Sequence, residues 1–138
     1  MSGVVQPVAL GLGCDRGTPA ETIARAIDEA LAQAGASLAD VCAVASIDLK
    51  ADEAGLLEIA THLGWTIAFH PAAALAAVDV PNRSETVRRY TGTPSVSEAA
   101  ALIAAGTDFT QLVVEKHKLR GPDGRNATVS VARMPASN

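Results

Sequence analysis

The stretch GLGCDRGTPAE, residues 11–21, places a thiol, a carboxyl, a guanidinium and three glycines between an apolar run and a helix start. A turn this bare leaves backbone N–H groups open to an anion, a thiol open to activation, or room for a second piece of backbone. A helix amino terminus and Arg16 beside Cys14 would lower its pKa and make it a nucleophile. No partner base is evident in sequence, and the competing reading of Cys14 is a small residue in a tight turn. The dinucleotide fingerprint does not fit. Its third glycine, Gly17, falls one position late, and the acid at the next strand end, Asp48, lies too far along. There is no Walker A pattern. His62, His70 and His117 are scattered with no i, i+4 pair, so neither a metal set nor a cofactor is expected. His70, ahead of Pro71, reads as a residue at a helix start.

The cations carry more information. The chain has only three lysines, Lys50, Lys116 and Lys118. The first sits at an expected strand end. The other two share one strand at period-two spacing and so lie on one face. Two readings compete. Either Lys50 pairs with Asp52 or Glu53 while the other two decorate an edge strand against aggregation, or Lys50 and Lys116, with Arg16 as a third cation, are held for an anionic ligand.

These groups need elements to hold them. Residues 4–12 are largely apolar without helical spacing and read as a buried strand. Thr18 reads as an N-cap, with Pro19 at the first helical position and Glu21 closing a capping box. Apolar residues follow at helical spacing to Ala34, and Gly35 supplies the stop. Further strands are expected over 41–49, 65–69, 112–118 and 127–133. Helices are expected over 51–63, from Pro71 to before Pro81, over 84–90, and from a second capping box at Ser95 and Glu98 to Ala105, with Gly106 as stop. The segment VDVPNRSET reads as a loop, and GPDG, residues 121–124, as a hairpin turn.

This order predicts an α/β fold: one three-layer α/β/α domain over residues 1–138, with a mostly parallel, mixed sheet closed by a C-terminal β-hairpin. In such sheets ligands bind beyond the carboxyl ends of the parallel strands. The turn at 11–17, Lys50 and the His70 loop should meet there, with the helix after Thr18 aiming its positive end at the same place.

Composition narrows the class. Apolar residues make up 49% of the chain and aromatics 3%, so the core is built from Ala, Val, Leu and Ile. A net charge of −4 argues against a nucleic-acid partner. No run approaches a membrane span and no signal peptide is visible, so a cytoplasmic protein with reduced Cys14 and Cys42 is expected.

Four segments in order, GLGCDRGT, ASIDLKADEAGLLEIATHLGW, GTPSVSEAAALIAAG and LVVEKHKLRGPDGRNATVSVAR, resemble the CobE family. The same pattern forms the C-terminal domain of CbiG, the cobalt-precorrin-5A hydrolase of cobalamin biosynthesis, which opens a lactone. On this resemblance the family's turn matches Gly11, Gly13, Cys14, Arg16 and Gly17. Asp15 departs from the more basic form of that turn. The strand-end lysine and following acid match Lys50 and Glu53, near Asp48. The S-V-x-E-A-A pattern matches Ser95 and Glu98, and the late lysine matches Lys116. Together these are the ligand-binding candidates. The resemblance implies the aerobic cobalamin route and a corrin or precorrin partner rich in carboxylates. It leaves three roles open: a non-catalytic binding or carrier protein, a small hydrolase or isomerase using Cys14, Asp48 or His70, or an interaction module for a pathway enzyme.

Overall fold

The structure, a computed structural model, describes residues 7–78 and 96–134. Five strands form one sheet in the order β3-β2-β1-β5-β4. They are β1 (Val8–Cys14), β2 (Val41–Ile47), β3 (Ile67–His70), β4 (Leu112–Arg120) and β5 (Asn126–Arg133). The first three are parallel to one another. β5 returns antiparallel to β1 and pairs with β4 as the hairpin, so β5 alone opposes the direction of the rest. The carboxyl ends of β1, β2 and β3 therefore share one edge of the sheet with the hairpin turn.

Period-two alternation divides the core. Val8, Leu10 and Leu12 of β1 point to one face and meet α1 (Ala20–Ala34) and α2 (Ala54–Leu63). Ala9, with Ala45 and Ala132, points to the other face and meets α3 (Ala72–Ala76) and α4 (Val96–Ala105). The buried part of the second face is mainly alanine, with Ile47, Leu75 and Leu102 among it, so helix and sheet approach closely. A Cβ on Gly11 would lie 1.8 Å from the Ser97 carbonyl oxygen and 2.5 Å from the Ala101 nitrogen. The first glycine of the turn is bare because α4 lies on it.

Several expectations shift. β1 runs on to Cys14 because β5 pairs with it through Cys14 and Ala127. Thr18 is not the N-cap of α1. Its hydroxyl donates instead to the Asp15 carbonyl at 2.7 Å, and Pro19 takes the cap position without a side-chain bond. The chain after β2 makes a single 3-10 turn, Asp48–Lys50, and α2 starts only at Ala54. The delay follows from Glu53, which stays extended and sends its carboxylate to another segment. Gly35 and Gly106 end their helices at φ +69° and +68°, as the sequence requires. The helix expected over 84–90, most of VDVPNRSET, and Ser95 lie outside the described residues.

The Gly11 contact is testable. Gly11→Ala opposes two backbone atoms of α4 that cannot rotate aside and is expected to cost about 3 kcal/mol, the upper end for overpacking. Gly13→Ala meets only the Thr128 hydroxyl, at 2.6 Å. That side chain can turn, so the loss should stay near 1 kcal/mol. Urea denaturation of both variants decides the matter. Equal losses would mean that α4 does not press on Gly11.

Candidate functional site

A cleft of about 390 Å³ opens at the carboxyl end of β1, on the α4 side of the sheet. Gly13, Cys14 and Asp15 form one wall, Ile47 and Val96 an apolar patch, and Asn126 and Thr128 of β5 the floor. Lys50, Lys116 and Lys118, all the lysines of the chain, line it together. None of them pairs with a carboxylate of the described residues. Lys50 therefore does not pair with Asp52 or Glu53.

Arg16 takes those two acids. Its Nη1 lies 2.9 Å from Asp52 Oδ1 and 3.0 Å from Glu53 Oε2, and its Nη2 donates to the Leu49 carbonyl at 3.0 Å. Glu53 is buried, and its other oxygen accepts from the Gly17 backbone N–H at 2.8 Å. Oε2 has the arginine charge beside it but no hydrogen bond aligned on it. The anion held by the glycine turn is thus the protein's own Glu53. Arg16 and Glu53 tie the β1–α1 turn to the segment that carries Lys50.

Asp15 secures the other side. Its carboxylate accepts from the Asn126 backbone N–H at 2.8 Å and side-chain amide at 3.0 Å, while its own N–H donates to the Asn126 carbonyl at 2.9 Å. The Asn126 backbone bond foremost, with help from its side chain and the fields of Lys50 and Lys118, holds this carboxyl below its usual value against the opposing effect of burial. The residue that departs from the basic form of the turn is the clamp that fixes the hairpin to β1.

Cys14 is half-buried. Burial pushes its thiol up, Lys50 pulls it back, and Glu53 and Asp15 add to the rise. No described histidine or carboxylate hydrogen-bonds it. Asp48 is exposed on the 3-10 turn. His70 ends β3 opposite Ile47, on the same sheet edge but outside the cleft lining. Gly11 and Glu98 are buried under or within α4 and also do not line it. Sequence reasoning did not count Asp15, Ile47, Lys118, Asn126 or Thr128 among the site residues. The hairpin register that pairs Lys118 with Thr128 and Cys14 with Ala127 brings Lys118, Asn126 and Thr128 in, and no local pattern announces it. Among the described residues, no cluster of three or more His, Cys, Asp or Glu is placed to hold a metal ion, and no helix is long and apolar enough to cross a membrane.

Residues 8–132 match the family described as Cobalamin synthesis G C-terminus. Cobalt-precorrin-5A hydrolase of Priestia megaterium is 39% identical over 128 residues, which take in 93% of this chain and 32% of that protein. The chain therefore spans about a third of the length of that relative. Protein CobE of a Sinorhizobium species is 43% identical over 111 residues, covering 79% of this chain and 71% of that one. The crystal structure of CobE, a protein from the cobalamin (vitamin B12) biosynthetic pathway, is similar with a TM-score of 0.71 at 33% identity, covering 98% of this chain and 95% of the other.

Two measurements test the wall of the cleft. With its pKa raised, Cys14 is a protonated thiol at neutral pH, so iodoacetamide should label it well after the exposed Cys42, and its rate should keep climbing into alkaline pH. Faster labelling of Cys14 at pH 7 would mean an activated nucleophile. A carboxyl with a lowered folded pKa stabilises fully above the unfolded value, about 3.9, and loses that stabilisation as pH falls through the folded value. Asp15→Ala should therefore cost about 1 kcal/mol at pH 7, with the gap to wild type closing in acid below pH ~4. A gap independent of pH would remove the carboxylate from the clamp.

Proposed function

The chain belongs to the Cobalamin synthesis G C-terminus family and is a cobalamin biosynthesis protein, and from that premise we propose that the lysine cleft binds a carboxylate-rich corrin or precorrin intermediate in an accessory or carrier role. The observation that carries this reading is the convergence of every lysine of an acidic chain on one cleft without described carboxylate partners. Unpaired ammonium groups in one place raise the local positive potential and draw an anion in. Each can then make a charge-assisted hydrogen bond. Ile47 and Val96 add an apolar surface beside the cations. A volume of about 390 Å³ is at the low end for ligand sites and suits one carboxylate-bearing edge of a macrocycle.

The hydrolase relative supports a second reading, in which the cleft presents the intermediate to a reacting group. Incubating the protein with purified pathway intermediates separates the two. A shift in visible absorbance without a new product mass supports the carrier. A new mass supports the enzyme. Capture of a pathway enzyme with no binding of any intermediate overturns both in favour of an interaction module.

The lysines give the quantitative test. A hydrogen bond to a charged group contributes roughly 1.5–3 kcal/mol. Lys50→Ala and Lys116→Ala should therefore each weaken binding by about 10- to 150-fold, leave the melting temperature nearly unchanged, and reduce the salt sensitivity of binding. Arg16→Ala should do the reverse, lowering stability first, because its partners are Asp52 and buried Glu53. Unchanged affinity in both lysine variants would reject the site.

A further inference from the structure

The two lysines of β4 reach the cleft only because the strand breaks its own alternation. Val114 packs in the core beneath α1. In a regular strand Lys116 and Lys118 would follow it to that face, and His117 would point away. The register shows the opposite. Val114 pairs with Val131 and His117 with Val129, so Glu115 and Lys116 together oppose the single residue Ser130. This is a β-bulge. Beyond it, His117 faces α1, where its Nε2 lies 2.7 Å from Glu29 Oε1 and its Nδ1 2.9 Å from Gln33 Nε2. Lys116 and Lys118 are thereby turned to the α4 side and into the cleft.

The bulge is held from below. Ser130 is fully buried, and its hydroxyl donates to the Glu115 carbonyl at 2.6 Å. Its oxygen lies 2.9 Å from the hydroxyl of Ser97, itself buried in the first turn of α4. A hydroxyl has one hydrogen. With that hydrogen on Glu115, Ser130 accepts from Ser97. The chain of two hydroxyls runs from α4 through β5 to the carbonyl next to Lys116. We propose that Ser130, supported by Ser97, is the positioning residue that fixes the bulge and so aims Lys116 into the cleft. The dependence of affinity on Ser130 rests on the reading of the cleft as a polycarboxylate site. The dependence of Lys116 geometry on Ser130 does not.

The test uses both. Reductive ¹³C-methylation gives three lysine dimethylamine resonances with the charge retained, each assigned by a Lys→Arg variant and so told apart from that of the α-amine. Ser130→Ala should shift the Lys116 resonance and leave that of Lys50 in place. Ser97→Ala, which keeps the Ser130–Glu115 bond, should shift it less in the same direction, and serves if Ser130→Ala folds poorly. In parallel, fluorescence titration with uroporphyrin III, an octacarboxylate tetrapyrrole, should show about a 5- to 10-fold loss of affinity in Ser130→Ala and no further loss when the change is made in a Lys116→Ala background, since coupled residues are not additive. A purely structural role would give the same loss in both backgrounds, and that result overturns the proposal. So does an unmoved Lys116 resonance in folded Ser130→Ala. Failure of the wild type to bind uroporphyrin or any precorrin would reject the cleft reading, while the resonances still decide the positioning role.

Discussion

The contact between the Gly11 backbone and the first turns of α4 is the constraint on which the site depends. No side chain separates them, and the ideal Cβ position is already occupied by the Ser97 carbonyl. Pressed this close, α4 carries Val96 to the mouth of the cleft and Ser97 within hydrogen-bonding reach of Ser130. The alanines of α4, with Ala9, Ala45 and Ala132 of the sheet, make the approach possible along the whole helix. A core built from small residues, in a chain with 3% aromatics, is therefore a device for bringing backbones together, at the cost of less apolar area buried per residue. Dense packing then makes the site rigid, because small side chains leave little room to re-pack.

The cations divide by chemistry. The described arginines that pair are tied to acids: Arg16 to Asp52 and Glu53, Arg25 to Glu29, Arg125 to Asp123. Exposed pairs of this kind stabilise little, but Arg16 matters because one of its partners is buried and also holds the Gly17 amide. Planar guanidinium groups suit such fixed, multidentate roles. The compact ammonium groups are kept for the cleft. Asp15 shares that cleft and offsets part of its positive charge, while its Oδ2 accepts two hydrogen bonds from Asn126 that hold the hairpin to β1. It works as structure while standing among the lysines.

Much of this was legible in the sequence where the signal is local. The strand and helix periods, the stops at Gly35 and Gly106, the hairpin turn, and the scarcity of lysine all follow from residues near one another in the chain. The parts that were not legible depend on partners far away. Thr18 looks like a cap until the Asp15 carbonyl claims its hydroxyl. Lys50 looks like the partner of Glu53 until the turn geometry places the Arg16 guanidinium there. The period-two spacing of Lys116 and Lys118 says that they share a face. Which face depends on one extra residue opposite Ser130, and a binary pattern does not record an insertion that hydrophobic neighbours on both sides tolerate.

If the cleft carries a polycarboxylate, its use of lysine also bears on how the ligand leaves. Ammonium groups on flexible stems are strongly hydrated, so they attract an anion over a distance and release it without a large rearrangement. Electrostatic attraction of this kind speeds association more than it deepens affinity. A fixed arginine fork at the same positions would hold a carboxylate in one orientation and slow its departure. A protein that passes an intermediate onward needs fast capture and fast release. Three lysines on a rigid floor meet that need, with the rigidity supplied by the Asp15 clamp and the close seat of α4 on Gly11.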